Sequence, residues 1–447
     1  MQLDDAEQII RGQELSLGYP TPQPPLYTWI SWIAMKLFDE SLLVISSLKY
    51  LMIFFTFIFI YKTGELLFSR KDTNTFLVMS FLLLPSFGWH MHQGFTNTIL
   101  LGLGISMTFY YLLKIQIEPK KLNYIFLGCS FAIGMLGKYS FIIFLTLILL
   151  SSLSVQSFRN LILNKRFLFS LVVFFLLISP HFLWLIDNYQ LIFNQIDGKL
   201  KIDSGSVFLE KINSLFSFLK AAIGFILPLL ISLIFFGKKF FSINTSNSSD
   251  ELKLLYRFFA IAFISATILS IFYSMPHFKM RWFHPIMMIF PFLPFLIIDY
   301  FKIDISVGKK FFIIIFIFFT LLSAIARVFQ MSIGPDMGFY GRINRPIVQS
   351  IKTIENINFS DAIIKTEDHF LGVHLLITKQ ENPILIRKKI FRKELSENIT
   401  KCIWLWDNDT EQKEPILDTD IEIKNIKTKT GEIDYILHYA LLKVEKC

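Results

Sequence analysis

Charge is what this chain has least of. Of its 447 residues 18% are charged against 53% hydrophobic, with a mean hydropathy of +0.52. A soluble chain of this size carries about a quarter charged residues, so a single soluble globule, a fibrous repeat and a disordered chain are excluded. Cysteine is as scarce. Cys129, Cys402 and Cys447 predict no disulfide framework and match no metal-ligand spacing, and Cys129, inside an apolar run, reads as packing. There is no Walker A loop, and no dinucleotide glycine fingerprint followed by the right acidic residue, which removes the common nucleotide-binding motifs. No repeat of fixed period and no low-complexity tract organises the chain. No apolar span or signal peptide precedes the first 40 residues either.

What charge there is lies unevenly. Residues 1–334 hold 17 acidic and 27 basic residues, about 13% of that stretch, whereas residues 335–447 hold 18 and 17, about 31%. A large apolar region is followed by a separate polar domain. Ten apolar runs are long enough for a hydrocarbon core of about 30 Å: 41–61, 74–89, 95–115, 122–137, 139–155, 167–187, 216–237, 254–275, 282–300 and 311–331, the second and fourth being short. The expected fold is an α-helical polytopic membrane protein of ten spans over residues 1–334. A small α/β domain over 335–447 follows a glycine-rich stretch near 334–341, built on strand-like runs such as PILIRK and CIWLWD.

Positive charge orients the spans. The loops after the odd-numbered spans hold 15 Lys and Arg, three each, and those on the opposite side hold 8 over more residues. This puts the odd loops in the cytoplasm, with both termini and the polar domain outside. The +9 net charge is thus an orientation signal and no nucleic-acid footprint. Residues 1–40 form an outer loop in which 25–38, with Trp29 and Trp32, suits an interfacial helix. The 188–215 loop is also placed outside.

Polar patches gather on that outer side: LDDAEQ at 3–8, WHMHQGFTNT at 89–98, GKYSF at 137–141 and HFKMRWFHP at 277–285. Adjacent Asp4 and Asp5 have the chemistry of a general base or a divalent-cation (Mg or Mn) site, and equally of a solvated acidic tail. His90 and His92 diverge if helical but share a side on an extended turn. Lys138 and Arg281 are able either to snorkel or to meet a lipid phosphate at headgroup depth. His181 and Asp187, flanking Trp184, read as interfacial anchors, and Asp299 and Asp304 as structural residues on the inner side.

These patches carry a likeness. The opening LDDAEQIIRGQELSLGYPTPQPPLYTWI resembles the first outer loop of the GT-C membrane glycosyltransferases, in the branch related to the dolichyl-phosphate-mannose-protein mannosyltransferases (glycosyltransferase family 39). That branch has an acidic pair, here Asp4–Asp5, followed about twenty residues later by a PPL segment, here Pro24–Pro25–Leu26. The likeness continues in order through LKYLMIF, LGKYSF, SPHFLWLIDNYQ, FKMRWFHP and GRINRP. It implies a polyprenyl-phosphate-linked sugar donor, an acceptor hydroxyl and inversion of configuration. It also implies Asp4 as the catalytic carboxylate with Asp5 in support, and a cleft walled by the PPL helix. Lys138 and Arg281 would then bind the donor phosphate, with Pro24, Pro25, Tyr27, His90, His92 and Tyr139 lining the cleft. The family carries a transmembrane helix before the acidic pair, so an eleventh span preceding residue 1 is expected. One departure is plain: where relatives often have an acidic residue in the second outer loop, this chain reads His90-Met91-His92-Gln93-Gly94.

The resulting expectation is a multi-pass glycosyltransferase of a bacterial inner membrane, with site and polar domain in the periplasm. Its partners would be membrane lipids, the lipid-linked donor and an envelope lipid, glycan or protein acceptor. A transporter or lipid flippase, and a catalytically degenerate relative, are the competing readings. The first is disfavoured because the candidate groups sit at one face, not at mid-membrane.

Overall fold

The structure is a computed structural model that describes residues 3–200, 207–236, 248–272, 278–337, 344–353, 359, 361–379, 381–387, 389–392, 399–407, 423–430 and 433–447. It divides into two compact units. One comprises residues 16–30 and 47–323, and the other residues 1–15, 31–46 and 324–447.

The described parts of the apolar runs in the larger unit are largely helical, because a backbone in hydrocarbon must satisfy its own N–H and C=O groups. The helices in chain order are α1 (Leu3–Arg11), α2 (Leu26–Phe38), α3 (Leu42–Leu67), α4 (Lys71–Leu82), α5 (Pro85–Gly88), α6 (Thr96–Ile117), α7 (Lys121–Gly137), α8 (Phe141–Ser154), α9 (Gln156–Ile162), α10 (Phe167–Leu200), α11 (Val207–Ile234), α12 (Asp250–Phe272), α13 (His284–Met287), α14 (Phe292–Tyr300) and α15 (Ser306–Met331). Among the described residues seven segments are long and apolar enough to cross a membrane, and eight if α8 and α9, bent by 117°, count as one. The other two expected spans are α4 and α7, with 12 and 17 residues.

The 282–300 run stands as one candidate span, built from a 3-10 turn, α13 and α14 with a break near Pro291. Two other expectations need correction. The 74–89 run is not one helix: Pro85 takes the first position of a new turn, and α4 ends before it. The 188–215 segment is mostly helix, since α10 runs to Leu200 and α11 starts at Val207. Polarity ends a span without ending a helix, and only Gly198 in 188–200 disfavours continuation. Residues 201–206, Lys238, Lys239 and residues 338–343 lie outside the described residues.

Loop contacts sort the larger unit into two ends. At one, Arg70 donates from Nε to Asp299 (3.1 Å) and from its terminal nitrogens to the Ile298 and Ile303 carbonyls, while Ser69 N–H and Thr73 Oγ1 donate to the same carboxylate. Arg166 donates to the Pro119 carbonyl (2.6 Å), and Arg257 reaches the Ser154 carbonyl. All these contacts join loops expected on the basic side, and Asp299 is structural, as read from sequence. The other end gathers residues 16–25, the α5–α6 loop, the α7–α8 junction and the start of α13.

Glycine sets how closely α6 and α7 approach. A β-carbon on Gly104 would stand 2.4 Å from the Gly134 Cα, and one on Gly137 would stand 2.8 Å from the Leu100 Cβ. Small residues permit this backbone contact in a medium where no hydrophobic force draws helices together.

The second unit is α/β, as expected for the tail. Its strands are β1 (Ala362–Thr366), β2 (Ile384–Ile386), β3 (Lys389–Phe391), β4 (Lys401–Asp407), β5 (Ile423–Thr430) and β6 (Ile433–Lys443), in the order β3-β2-β1-β4-β6-β5. β1 is parallel to β2 and β4, and the other pairs are antiparallel. Helices α16 (Ile347–Thr353) and α17 (His369–Thr378) contribute to the core with Ile364, Ile384, Ile403, Leu405 and Leu437. The expectation of no disulfide is overturned here: Cys402 on β4 is bonded to Cys447, 45 positions away, with their Cα atoms 5.7 Å apart. Spacing alone could not reveal a pair that the sheet brings together.

Replacing Gly104 by leucine should force α6 and α7 apart and cost about 1–3 kcal/mol or more, read as a lowered Tm of the purified protein in detergent. An unchanged Tm would contradict the close contact.

Candidate active site

The α6 N-terminus begins abruptly. Gly94 at φ 152° and Phe95 at φ 55° turn the chain, and Thr96, Asn97 and Thr98 then form a buried first helical turn. Such a turn carries the positive end of a helix dipole. Asn97 Nδ2 donates to the carbonyls of Gly137 (3.0 Å) and Pro24 (3.3 Å), tying three segments together. Lys138, extended just past the end of α7, donates from Nζ to Thr98 Oγ1 at 2.8 Å. A half-buried ammonium therefore stands beside the dipole's positive end, an arrangement that favours an anion.

A second strand of contacts brings in Arg281. His284 is fully buried, with Nδ1 2.8 Å from the Arg281 carbonyl, its other nitrogen on Ser86 Oγ and its ring edge-on to Phe225. Because a carbonyl only accepts, Nδ1 carries the proton, and in the neutral ring Nε2 accepts from Ser86. His284 thus joins the 3-10 turn Met280–Phe283, from which the exposed Arg281 projects, to α5.

The two loop histidines part company. They lie on a single 3-10 turn, with the His90 ring against Phe95 and His92 Nδ1 3.4 Å from the Tyr50 hydroxyl. Burial pushes the His90 imidazole below its ordinary range, offset in part by a hydrogen bond with the Pro85 backbone. At neutral pH it adds no positive charge. Among the described residues no group of three or more His, Cys, Asp or Glu side chains could hold a metal ion.

The PPL region is fastened from several sides. His181 accepts from or donates to the Tyr139 hydroxyl at Nε2 (2.8 Å) and donates from Nδ1 to the Leu17 carbonyl (2.9 Å), with the Tyr139 and Trp184 rings nearly parallel to its own. Trp29 Nε1 donates to the Ser16 carbonyl at 2.6 Å. A β-carbon on Gly18 would fall 2.2 Å from the Trp184 ring, so only glycine fits there. Pro24 and Pro25 are buried, and Tyr27 is wholly enclosed in the core of the membrane unit.

Asp4 and Asp5 belong to the other unit, in the first turn of α1, where carboxylates suit the helix dipole. Adjacent helical positions diverge, so Asp4 is exposed and Asp5 is 3% exposed. The pair is not a ready two-carboxylate clamp.

The structure thus brings together Lys138, Tyr139, Pro24, His90 and the Arg281 turn within the membrane unit. Asn97, Thr98 and His284 lie inside polar patches read from the sequence but carried no role of their own there, and Ser86 and Gly18 lie outside those patches. The run of Thr-Asn-Thr opening an apolar stretch was the available signal for the first two.

Comparisons with known proteins agree with one another. Residues 22–184 match the family model described as dolichyl-phosphate-mannose-protein mannosyltransferase. The chain is 26% identical over 83% of its length to the lipopolysaccharide core galacturonosyltransferase RgtB of Rhizobium johnstonii, covering 75% of that protein. It is 23% identical over 86% of its length to RgtA of the same organism, covering 77% of it. The crystal structure of ArnT from Cupriavidus metallidurans bound to undecaprenyl phosphate aligns with a TM-score of 0.59 at 14% identity, over 98% of this chain and 92% of that one. The apo structure of the same protein aligns at 0.57, over 98% and 91%.

Gly18→Val should free the 16–25 segment from Trp184. Limited chymotrypsin digestion is expected to cut at Leu15, Leu17 or Tyr19 sooner than in the wild type. Equal digestion would show that the segment is held by other means.

Proposed function

We propose that this chain, a member of the GT-C membrane glycosyltransferases in the branch of the dolichyl-phosphate-mannose-protein mannosyltransferases, moves a sugar from a polyprenyl-phosphate-linked donor to an envelope acceptor at the outer face of the inner membrane. The observation that carries the donor assignment is the Lys138–Thr98 contact at the head of α6, with the Arg281 turn fastened to α5 through His284. A departing lipid phosphate gathers negative charge as the glycosidic bond breaks. An ammonium, a guanidinium and a helix N-terminus stabilise that charge without having to reorganise. The neighbour bound to undecaprenyl phosphate supports the same donor chemistry.

In this reading Asp4 accepts the proton of the acceptor hydroxyl as it attacks the anomeric carbon, inverting it, while Asp5 supports α1 from its buried position. Pro24, Pro25, Tyr27, Tyr139, His90 and His92 shape the cleft around the donor. The two curated relatives, both named for the lipopolysaccharide core, favour a lipid-linked envelope glycan over a protein among the possible acceptors. The basic bias of one set of loops supports the periplasmic orientation. So does the Cys402–Cys447 bond, since disulfides persist in oxidising compartments.

Labelled sugar transfer from a panel of polyprenyl-phosphate donors, in membranes carrying the protein, tests the reading. Transfer to a lipid-extractable glycan is expected in the wild type, and Asp4→Ala should lower it by about two orders of magnitude or more. Lys138→Gln should raise the donor KM and lower kcat. Undiminished transfer by Asp4→Ala would remove the carboxylate from the mechanism.

A further inference from the structure

One side of helix α1 is dry. Asp5, Ala6, Gln8, Ile9 and Gly12 are buried while Asp4 is exposed. The buried positions fall three and four apart, one face of an α-helix. That face packs on α17 and shares a core with Phe370, Leu371 and Val373.

The geometry of α17 explains the contact. A β-carbon on Gly372 would meet the Ile386 side chain at 2.6 Å, so Gly372 faces β2. At 100° per residue, Phe370, Val373, His374 and Ile377 lie on the side away from the sheet. Phe370 and Val373 are nevertheless buried, and His374 is buried enough to be pushed down to about 4. Helices α1 and α16 both pack on α17, and Ala6 and Ile9 share a core with Phe370 and Val373. Polar ties flank α1. Glu14, three residues past α1, pairs with Lys389 at 2.8 Å, and Arg392 at the end of β3 bridges Glu40 (2.6 Å) and the Leu376 carbonyl (2.8 Å). A β-carbon on Gly12 would fall 2.4 Å from the Met35 methyl, so the exit from α1 is closed down on α2 as well.

We infer that the C-terminal domain is the scaffold of the acidic helix: α17 and the end of β3 hold α1 in one orientation, with Asp5 on the packed side and Asp4 on the open side. A nine-residue helix is unstable alone in water. Without α17, Asp4 would sit on a mobile loop and lose the fixed placement that proton transfer requires. Ile9 and the α17 residues beneath it are then positioning residues for the transfer reaction. This rests on the proposed role of Asp4, and it gives the C-terminal domain a part in catalysis.

The test places a charge in the contact without touching Asp4. Full-length Ile9→Asp, Ile9→Leu, Asp4→Ala and wild type are compared by hydrogen exchange of residues 3–11, by thiol titration to check the Cys402–Cys447 bond, and by transfer kinetics. With the disulfide intact, Ile9→Asp should lose exchange protection over α1. Its kcat should fall by about tenfold or more while donor KM moves by about twofold at most. Ile9→Leu should behave as wild type, and Asp4→Ala should keep its protection while losing transfer. Protection unchanged in Ile9→Asp, or lost with kcat retained while Asp4→Ala is inactive, would overturn the scaffold. Full transfer by Asp4→Ala would instead overturn the role of the carboxylate and leave the scaffold to be judged by exchange alone.

Discussion

The contact between α6 and α7 is the constraint on which the rest of the membrane unit depends. Gly104 against Gly134, and Gly137 against Leu100, bring two backbones within reach of each other. That proximity puts the Gly137 carbonyl on Asn97 and the Lys138 ammonium on Thr98. Move the helices apart by one methyl group and the lysine leaves the helix head. Asn97 also carries the constraint outward to Pro24, so the PPL segment is positioned by the same junction.

Polar chemistry collects where helices break, for a general reason. Inside hydrocarbon a helix satisfies its own backbone and presents apolar side chains. Only at interruptions are N–H groups and polar side chains available. The chain has such interruptions at Pro85, Gly94, Lys138 and Pro285, and the first turn of α6, the Ser86–His284 pair and the Arg281 turn all occupy them. The opposite end uses its polar residues otherwise: Arg70 and Asp299 satisfy each other and the surrounding backbone, leaving a structural joint. Removing one partner of a joint this buried would leave the other charge uncompensated.

Much of the architecture was legible because it follows from one-dimensional patterns. Apolar run length yields the helices, and charge asymmetry sorts the loops into two groups that do meet in two groups. What stayed hidden depends on distance in space. Cys402 and Cys447 are joined by a sheet that no spacing rule describes. His284 looked like one of several polar residues in a basic patch, and its role comes from a serine 198 positions away. The helical continuation of α10 past Asp187 is not legible in composition, which marks the end of an apolar run and not the end of a helix. The acidic pair was visible at once, but not that its two members face differently: that follows from α1 being a helix packed on one side.

The central claim is that the head of α6, with Lys138 and the Arg281 turn, holds a lipid phosphate. Native mass spectrometry of the purified protein with undecaprenyl phosphate tests it most directly, comparing wild type with Lys138→Gln and with Lys138→Gln/Arg281→Gln. A charge-assisted hydrogen bond is worth about 1.5–3 kcal/mol, so the single variant should bind the lipid about tenfold more weakly or worse, and the double variant should retain none. Equal occupancy in all three proteins would contradict the assignment, as would no retention by the wild type.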